Sequence, residues 1–514
     1  MDKTSFTERK YRTQAHQHKI IKGDNMRIEN IIEGIALKTV KGLTAQEIKT
    51  IGFDPDQPTD LFVNLKTDAA AAQANVERAI KNGAQVVLTQ TELPLSIPQV
   101  VAQNVRNAFA LSACNFYENP AKKLKIIAIT GTNGKTTSTY IIKSILEKAG
   151  YKVGLIGTNQ NMIGDKVVPA HLTTPDPMEL QELLSKMQKS GCDYVVMEVS
   201  AHALYFNKVD GIQFECSIFT NLTQDHLDFF GNMQDYAQAK AQLFKKDKSK
   251  NCIFNVDDDF GHLFARFCNA DRVISFGIDN PSDVFAVNID VDLTQSQFFV
   301  NAFDDIAEFC FHIGGKYNVY NVLGSIACCH ALNIDMSKIV EGVAAVTGVD
   351  GRYNTYKSPK GYQFVIDYAH TPDGLENLLS SVKELTPHRL IAVFGCGGNR
   401  DATKRPIMGE IAGKIADISI LTSDNPRYEN PMSIIDQIEK GTQKVTANYI
   451  KVENRQNAIE YASKIARDGD VIVIAGKGQE PYQEIKGVKH HFSDKEIVLD
   501  IIDRETSRQT LQVR

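Results

Sequence analysis

The chain has 514 residues, of which 43% are hydrophobic and 23% charged, and it carries a formal net charge of −5 at pH 7. At about 150 residues per domain, this length predicts roughly three domains with packed cores. No run approaches the roughly 20 apolar residues of a membrane span, and the weakly acidic balance provides no basic surface. Neither a membrane nor nucleic acid is therefore expected as a partner, and chemistry on small molecules is favoured.

The N-terminal stretch MDKTSFTERKYRTQAHQHKIIKGDN is polar and basic and lacks the apolar centre of a secretion signal. We expect residues 1–25 to be a disordered extension and the folded protein to start near Met26. His16 and His18 are too isolated to indicate a metal site. The nine cysteines form no CxxC pair, which predicts free thiols in a reducing cytoplasm.

A small unit follows over residues 26–120, in which the strand-like runs LFVNL and AQVVLTQ flank the helical NVERAIKNG. From about residue 124, strand-like runs alternate with helical patterns, in the order KIIAIT, TTSTYIIKSILEKAG, YKVGLIGT, DYVVMEVS and CSIFTNL. This alternation predicts βαβ units and a mostly parallel sheet.

The stretch NPSDVFAVNIDVDLTQSQFFVNAFDD predicts short antiparallel strands appended to that sheet, and KYNVYNVLGSIACCHAL predicts a helix. VTGVDGRYN is typical of a linker, because two glycines flank Val349 and Asp350. The strand and helix alternation then restarts, from YQFVIDYA to VIVIAG. The predicted architecture is α/β with three domains, at residues 26–120, 121–348 and 349–514.

The segment AITGTNGKTTSTY, residues 128–140, is a glycine-rich turn between a strand and a helix. Backbone N–H groups at a helix N-terminus surround phosphate oxygens, while a lysine adds a point charge and a hydroxyl is a magnesium ligand. Gly131, Gly134, Lys135 and Thr136 have these roles in the predicted loop. Ile129 at the first glycine position departs from the longer GxxxxGK[ST] spacing, and a chance surface turn is the alternative.

Two further positions are candidates for magnesium in the same domain. Glu198 ends the run YVVMEVS, at the carboxyl edge of a parallel sheet where nucleotides bind, and a solvated glutamate is the alternative. His226 lies between Asp225 and Asp228 after another strand-like run. There, metal ligation or phosphate contact competes with helix capping by Asp225.

A series of motifs gives the chain a resemblance to a known family. In chain order they are GTNGKTT, LTTPDPMEL, MEVSAHAL, TNLTQDHLDFFGNMQDYAQAK, GKYNVYN, DGRY, DYAHTPDGL, GCGGNRDATKRPIMG and SDNPRYENP. From about residue 124 to 500 the chain resembles the Mur ligases of peptidoglycan synthesis, most of all the MurE, or tripeptide-synthetase, type. The resemblance implies an N-terminal nucleotide-sugar module, a central P-loop ATPase domain and a C-terminal Rossmann-like domain.

The implied reaction is ATP-dependent amide formation, in which a peptide carboxylate attacks the γ-phosphate and an amine displaces the resulting acyl phosphate. By the same resemblance, Lys135, Glu198, His226 and Lys240 are catalytic, and Mg²⁺ is held by Thr136, Glu198, His226 and Lys240. Lys240 would act as its CO₂ adduct, since an ammonium cannot bind a cation. Without the resemblance, Lys240 would be interpreted as a solvated helix lysine.

The implied ATP contacts are the loop residues and four residues that follow later in the chain. They are Gly131, Thr132, Asn133, Gly134, Lys135, Thr136, Thr137, Asn318, Asn321, Arg352 and Asp367. The residues alone would make the two asparagines ordinary polar groups at a helix start, and His370 an unassigned loop histidine.

By the same resemblance, the motif DNPR is the main indicator of which amino acid the pocket binds. Its Arg427 offers a planar fork of N–H donors suited to a free carboxylate. Diaminopimelate has such a carboxylate at its far end and lysine lacks it, so the motif favours meso-diaminopimelate, with a surface turn as the alternative. The implied pocket consists of Arg400, Asp424, Asn425, Arg427, Gly476 and Glu480.

The acceptor side matches less well. Four residues align with positions that contact the UDP-MurNAc-dipeptide, namely Thr173, Thr174, Ser200 and Lys208, the last standing where an arginine is usual. In the N-terminal module, Gly52, Phe53 and Asp54 replace the common Asp-Ser-Arg, and Ala71, Ala72 and Gln73 replace Asp-Gly-His.

The leading hypothesis is a cytoplasmic, monomeric ligase that adds meso-diaminopimelate to UDP-MurNAc-L-Ala-D-Glu. The alternative enzyme is a MurE-like ligase that acts on a different carboxylate, in secondary metabolism or in another polymer, and the altered N-terminal module supports it. A catalytically silent nucleotide-binding or scaffold protein is a third hypothesis, which slow ADP formation indifferent to acceptor and amine would indicate.

Overall fold

The computed structural model describes residues 22–386 and 388–512. Over these ranges the chain forms sheets of six, eleven and six strands and a two-stranded hairpin. The α/β class is thereby confirmed. The predicted extension lies outside the described residues as far as residue 21, and its end at residue 25 is wrong, because a strand already begins at Lys22. None of the helices in the described ranges combines the length and apolarity needed to traverse a bilayer.

The first sheet is the centre of the N-terminal module. Its strands are β1 Lys22–Arg27, β2 Leu37–Lys41, β3 Glu47–Gly52, β4 Leu61–Val63, β5 Val86–Thr89 and β6 Gln99–Ala102, in the spatial order β1-β3-β4-β5-β6-β2. Its helices are α1 Ile28–Ile31, α2 Ala69–Lys81 and α3 Val105–Phe116. Asp68 caps the N-terminus of helix α2, because its carboxylate accepts a hydrogen bond from the Ala71 N–H. The helix packs Val76 against one face of the sheet. Helix α3 packs Phe109 against the other face.

The second sheet is the centre of the middle domain. Its strands are β7 Lys125–Thr130, β8 Val153–Ile156, β9 Asn161–Ile163, β10 Lys166–Val168, β11 Tyr194–Glu198, β12 Phe214–Phe219, β13 Ser249–Asn255, β14 Arg272–Gly277, β15 Val284–Val291, β16 Ser296–Ala302 and β17 Asp305–Phe311. Its helices are α4 Lys135–Lys148, α5 Pro177–Lys189, α6 Ala201–Tyr205, α7 Leu227–Phe230, α8 Met233–Ala241, α9 Asp259–Phe267, α10 Lys316–Ala331 and α11 Met336–Ala344. Two short 3₁₀ helices cover Pro120–Lys123 and Gln242–Phe244.

Strand order in this sheet places the functional loops together. Strand β7 lies between β11 and β12 and is parallel to both, with Glu198 opposite Ile129 and Phe219 opposite Thr130. The carboxyl ends of these three strands therefore meet at one edge, where α/β proteins bind ligands. The predicted antiparallel strands are present, because β15, β16 and β17 pair antiparallel and extend the sheet beyond β14.

The third sheet has the order β18-β19-β23-β20-β21-β22 and is parallel except for β18. Its strands are β18 Asn354–Lys357, β19 Gln363–Asp367, β20 Leu390–Phe394, β21 Ile418–Thr422, β22 Tyr449–Val452 and β23 Val471–Ala475. Its helices are α12 Pro372–Leu385, α13 Lys404–Ile415, α14 Pro431–Thr442, α15 Arg455–Ile465 and α16 Asp494–Gln512. A hairpin of β24 Tyr482–Ile485 and β25 Val488–His491 precedes α16 and was not anticipated from the sequence.

Predicted domain limits at residues 120 and 348 fall in the two intervals between the three sheets and stay predictions.

Candidate active site

All of the predicted nucleotide and magnesium residues line one cavity of about 440 Å³ at the carboxyl edge of β7, β11 and β12. These residues are Gly131, Thr132, Asn133, Gly134, Lys135, Thr136, Thr137, Glu198, His226, Lys240, Asn318, Asn321, Arg352 and Asp367. Two residues predicted to contact the acceptor, Thr173 and Ser200, lie in the same wall. Arg352 and Asp367 come from the C-terminal half, so the cavity lies between two domains.

The loop between β7 and α4 bends where only glycine fits without strain. Gly131 has φ +152° and Gly134 has φ +86°, in the region that disfavours side chains. A Cβ at Gly131 would overlap the hydroxyl of Thr220, and one at Gly134 would overlap the amide oxygen of Asn321. The backbone N–H groups that open α4 are thereby brought to the cavity wall, as phosphate binding at a helix N-terminus requires.

Thr136 and Glu198 are in direct contact at the start of α4 and the end of β11. The Thr136 hydroxyl donates to Glu198 Oε1 over 2.9 Å, and Thr158 donates its N–H and its hydroxyl to the two carboxylate oxygens over 2.8 and 2.9 Å. Glu198 is only 1% exposed, so the interpretation as a solvated glutamate is wrong. Thr158 was missed by sequence reasoning, because a lone threonine after a strand carries no signal.

This donor set fits a magnesium ion shared with a nucleotide. Mg²⁺ prefers hard oxygen ligands and typically takes one or two carboxylates together with waters and substrate phosphates. Thr136 and Glu198 supply such oxygens beside the phosphate loop. In the described part of the chain no group of three or more His, Cys, Asp and Glu side chains forms a metal cage.

Arg352 points to an anionic ligand in the same place. Its Nη2 donates to the Thr136 hydroxyl over 3.0 Å, and its guanidinium lies 4.6 Å from the ring centre of Tyr368. Its buried Nε has no hydrogen-bond partner among the described residues. A buried charged donor without a partner is costly, so a phosphate oxygen at this position would satisfy it.

Asp225 connects two histidines rather than capping a helix. Its Oδ1 accepts from the His226 N–H over 2.9 Å, and its Oδ2 lies 3.2 Å from His226 Nε2 and 4.0 Å from His370 Nε2. No side chain caps α7, so the interpretation of Asp225 as a cap is wrong. Burial is the main cause that lowers the pKa of both imidazoles, to about 4 for His370, so both are neutral near pH 7.

Lys240 is buried in α8 with 1% of its surface exposed, so it is not a solvated helix lysine. Its Nζ donates to the Gly131 carbonyl over 2.8 Å and lies 4.6 Å from the ring centre of Tyr236. Burial, and after it the charge of Lys135, lowers the pKa of Lys240 well below its usual value.

Asn318 and Asn321 lie in the first turns of α10 and are buried. Asn318 donates to the Gly314 carbonyl over 2.7 Å, and Asn321 donates to Asn318 Oδ1 over 2.9 Å. Asp367 accepts from the N–H groups of Tyr353 and Ala369, each over 2.7 Å. These contacts fix all three side chains in the cavity wall before any ligand binds.

Asp373 joins the two domains and was missed by sequence reasoning. Its Oδ2 accepts from Asn133 Nδ2 over 2.8 Å and from the Thr223 hydroxyl over 3.1 Å. The only sequence signal was its place in DYAHTPDGL. His370, left unassigned from the sequence, also lines the cavity.

The residues predicted to bind the amino acid gather at a separate edge, after β21 and β23. Asn425 Nδ2 donates to Glu480 Oε2 over 2.8 Å, and Lys477 donates to both Asn425 Oδ1 and Glu480 Oε2, over 3.1 and 3.0 Å. Gly476 has φ +114°, and a Cβ there would lie 2.8 Å from Asp424 Oδ2. The motifs DNPR and GKGQE are therefore in contact.

The two predicted arginines flank one glycine of this edge. A Cβ at Gly397 would lie 2.9 Å from Arg427 Nη1 and 3.7 Å from Arg400 Cγ. Arg400 is exposed, whereas Arg427 donates from Nη1 to the Gly398 carbonyl over 2.9 Å and from Nε to Glu484 over 3.2 Å.

A larger cavity of about 1000 Å³ lies between the N-terminal module and the middle domain. Lys208 lines it and pairs with Asp176 over 2.7 Å. Thr174 does not face that cavity; it donates to the Glu198 carbonyl over 2.9 Å and accepts from the Ser200 N–H over 3.0 Å. The wall includes aromatic and basic side chains, among them Phe53, Phe109, Phe206, Lys66, Arg106 and Lys248.

Comparison with protein families gives two matches. Residues 129–329 match the Mur ligase middle domain, and residues 351–478 match the family described as Mur ligase, glutamate ligase domain.

Individual relatives extend the match to nearly the whole chain. The chain is 44% identical over 485 residues to the UDP-N-acetylmuramoyl-L-alanyl-D-glutamate--2,6-diaminopimelate ligase 1 of Clostridium acetobutylicum, covering 93% of this chain and 99% of that one. A ligase of Clostridium perfringens named for the same substrates is 44% identical over 488 residues, covering 93% of this chain and 100% of that one.

Solved structures have the same fold. The structure of a UDP-N-acetylmuramoyl-L-alanyl-D-glutamate--2,6-diaminopimelate ligase superposes with a TM-score of 0.67 at 29% identity, covering 94% of this chain and 99% of that one. MurF from Acinetobacter baumannii superposes with a TM-score of 0.63 at 18% identity, covering 94% and 100%, and supports the fold alone.

Proposed function

The chain belongs to the Mur ligase family, and from this premise we propose that it joins meso-diaminopimelate to UDP-MurNAc-L-Ala-D-Glu at the expense of ATP, in peptidoglycan precursor synthesis. The observation that carries the proposal is the shared cavity of Lys135, Thr136, Glu198, His226 and Lys240 in a chain 44% identical to diaminopimelate ligases. A monomeric state and a cytoplasmic location stay predictions.

The acceptor carboxylate is a poor electrophile, so the reaction must first activate it. An acceptor carboxylate oxygen attacks the γ-phosphorus of ATP, the bond to the β,γ-bridging oxygen breaks, and ADP leaves. The amine nitrogen then attacks the carbonyl carbon of the acyl phosphate, phosphate leaves with the C–O bond electrons, and the nitrogen loses a proton to form the amide. The first step brings two anions together, the carboxylate and the γ-phosphate, so cationic groups must stabilise the transferring phosphoryl group.

The chain supplies these cationic and N–H groups at the N-terminus of α4. Lys135 and the N–H groups of Gly134 and Thr136 would bind the β- and γ-phosphates, and the unpartnered Nε of Arg352 would bind a phosphate oxygen from the opposite domain. Thr136 and Glu198 would hold one Mg²⁺, and His226 with Lys240 would help to hold a second. When bound, Mg²⁺ supplies charge neutralisation for the phosphoryl group in transfer.

Lys240 is suited to become a carbamate. A neutral amine attacks CO₂, the N–C bond forms and a proton is released, which leaves an anion with two acceptor oxygens. Burial and the charge of Lys135 lower the pKa of Lys240 well below its usual value, which favours the neutral, nucleophilic form of its amine. The carbamate of Lys240 would be negatively charged, so it could bind Mg²⁺ and pair with Lys135.

Two domains must stay together while the acyl phosphate exists, because water would hydrolyse it. The contacts of Asp373 with Asn133 and of Arg352 with Thr136 hold the C-terminal domain against the phosphate loop. We expect these contacts to tighten when nucleotide and acceptor bind.

The amine would be selected at the separate edge of the C-terminal sheet. The guanidinium of Arg427 would bind the far carboxylate of diaminopimelate, and Glu480, already an acceptor for Asn425 and Lys477, would take an ammonium hydrogen. Lysine lacks this second carboxylate at the end of its side chain, so it would be the weaker substrate.

The acceptor would occupy the cavity of about 1000 Å³, where cationic Lys66, Arg106 and Lys208 suit a diphosphate and aromatic side chains suit a base or sugar face. Phe53 and Asp54, two of the residues that depart from the usual uridine motif, line this cavity. That observation supports the second candidate, a ligase with the same ATP chemistry and a different carboxylate acceptor.

Phosphate release tests the proposal. Purified protein with ATP, Mg²⁺ and UDP-MurNAc-L-Ala-D-Glu is supplied with meso-diaminopimelate, with L-lysine or with no amine, and product masses are determined. We expect turnover with diaminopimelate and a product heavier by one diaminopimelate residue. A folded, ATP-binding protein that releases no phosphate in any arm would favour a different acceptor.

A further inference from the structure

The hairpin of β24 and β25 holds the DNPR motif, with Arg427, in place. Gln483 Nε2 donates to the Asp424 carbonyl over 2.6 Å, and the Glu484 N–H donates to Asn425 Oδ1 over 2.9 Å. The Arg427 N–H donates to the Glu484 carbonyl over 3.0 Å, and the Arg427 carbonyl accepts from the Lys486 N–H over 2.7 Å. The loop is therefore bonded along its length to β24.

Arg427 needs such support, because its backbone has φ +52°. This left-handed conformation is uncommon for residues other than glycine and is strained. Both backbone groups of Arg427 are paired with the hairpin, which fixes the conformation and so the direction of the side chain.

The side chain of Arg427 is fixed at two of its three nitrogens. Nε donates to Glu484 Oε2 over 3.2 Å and Nη1 donates to the Gly398 carbonyl over 2.9 Å. Among the described residues no hydrogen bond uses Nη2. The two side chains of this pair are 18% and 22% exposed, so the pair is largely shielded from solvent.

We propose that Glu484 is the positioning residue of Arg427 and thereby a determinant of carboxylate specificity, an inference that rests on the proposed function. Its carboxylate holds Nε, and its backbone holds the Arg427 N–H, so that Nη2 stays available for the far carboxylate of the amino-acid substrate. Because the guanidinium is already ordered, less conformational entropy is lost when the substrate binds. Glu484 acts through Arg427 and does not touch the reacting atoms.

A double-mutant cycle on the whole protein tests this role, with KM and kcat for meso-diaminopimelate as the readout. Glu484→Ala is expected to raise KM about 10-fold with kcat within about twofold, the size typical of a hydrogen bond to a charged group. In an Arg427→Ala background the same change is expected to have no effect on KM, because the side chain that Glu484 positions is gone.

Two further variants complete the test. Glu484→Gln retains an oxygen that accepts from Nε, so its KM is expected to rise by only about threefold, and it replaces the alanine variant if that variant does not fold. Glu496→Gln is the matched control, because Glu496, in α16, pairs with His491 of strand β25 and its side chain is 62% exposed. It is expected to leave KM unchanged.

An unchanged KM in Glu484→Ala, or an equal rise in the Arg427→Ala background, would overturn the positioning role while leaving the proposed function intact. A wild-type protein without turnover of diaminopimelate would contradict both.

Discussion

Lys135 and Lys240 donate to the same oxygen, the carbonyl of Gly131, over 2.9 and 2.8 Å. Two ammonium groups at one acceptor repel each other. Burial lowers the pKa of both lysines, and that of Lys240 is lowered well below its usual value, with the charge of Lys135 as the second cause. This geometry favours loss of a proton from Lys240. It gives the resemblance-based assignment of a carbamate a physical cause in this chain.

Lys240→Ala should abolish ligation, because it removes the anion proposed beside the phosphoryl group. A high concentration of a short carboxylic acid should restore part of the activity by filling the space left by the carbamate. Phosphate release with and without the added acid measures this. Lys246→Ala, at a lysine whose side chain is 66% exposed, serves as control. Full activity of Lys240→Ala without the acid would remove Lys240 from the catalytic site.

Arg427→Ala should weaken diaminopimelate binding without a comparable loss of kcat. A hydrogen bond to a charged group contributes about 1.5 to 3 kcal/mol, which corresponds to a rise in KM of about 10- to 150-fold. Initial rates at varied concentrations of diaminopimelate determine this KM. An unchanged KM would mean that the DNPR loop does not select the amine.

Gly134→Ala should raise the KM for ATP by at least about tenfold, because a Cβ would overlap Asn321 at the phosphate loop. Gly150→Ala is a matched control: Gly150 has a similar φ of +89°, but a Cβ there meets no atom within 4 Å. The control should lose stability and keep its affinity for ATP. Equal KM values for ATP in the two variants would contradict a phosphate site at Gly134.

Acid should destabilise the protein in part through His202. Burial, followed by the neighbouring His226, lowers the pKa of His202 to about 3 in the folded state. The unfolded chain therefore binds a proton that the folded chain does not, between about pH 6.5 and 3. The stability that the neutral imidazole contributes is present above pH 6.5 and is lost as the pH falls.

The free energy of unfolding falls by at most about 1.4 kcal/mol per pH unit below pH 6. His202→Gln should show a shallower fall of the apparent melting temperature between pH 7.5 and 5 than the wild type. His262→Gln, at an exposed position of α9, should keep the wild-type slope. Identical slopes in His202→Gln and the wild type would show that His202 does not titrate in this way.

The sequence allowed prediction of those parts of the site that lie within one motif. A strand followed by GTNGKTT predicts a phosphate loop because neighbouring residues alone determine the turn, and the apolar runs of β7, β11 and β12 predict a parallel sheet. Burial of Lys240 was not predictable from α8 itself, since packing against distant residues such as Gly131 decides it.

Contacts between remote segments were equally inaccessible. Thr136 and Arg352 are 216 positions apart, and Asn133 and Asp373 are 240 apart, so no local pattern joins them. The hairpin of β24 and β25 was missed because its strands are short and polar, without the apolar alternation that marks a buried strand.

Transfer of an oxygen isotope tests the central claim, that this chain activates the acceptor as an acyl phosphate, most directly. UDP-MurNAc-L-Ala-D-Glu labelled with ¹⁸O in both glutamate carboxylates is turned over with ATP, Mg²⁺ and meso-diaminopimelate, and the released phosphate is analysed by mass. One ¹⁸O atom in each phosphate is expected, because the attacking carboxylate oxygen leaves with the phosphoryl group. Phosphate free of ¹⁸O, formed in step with the amide product, would contradict the account.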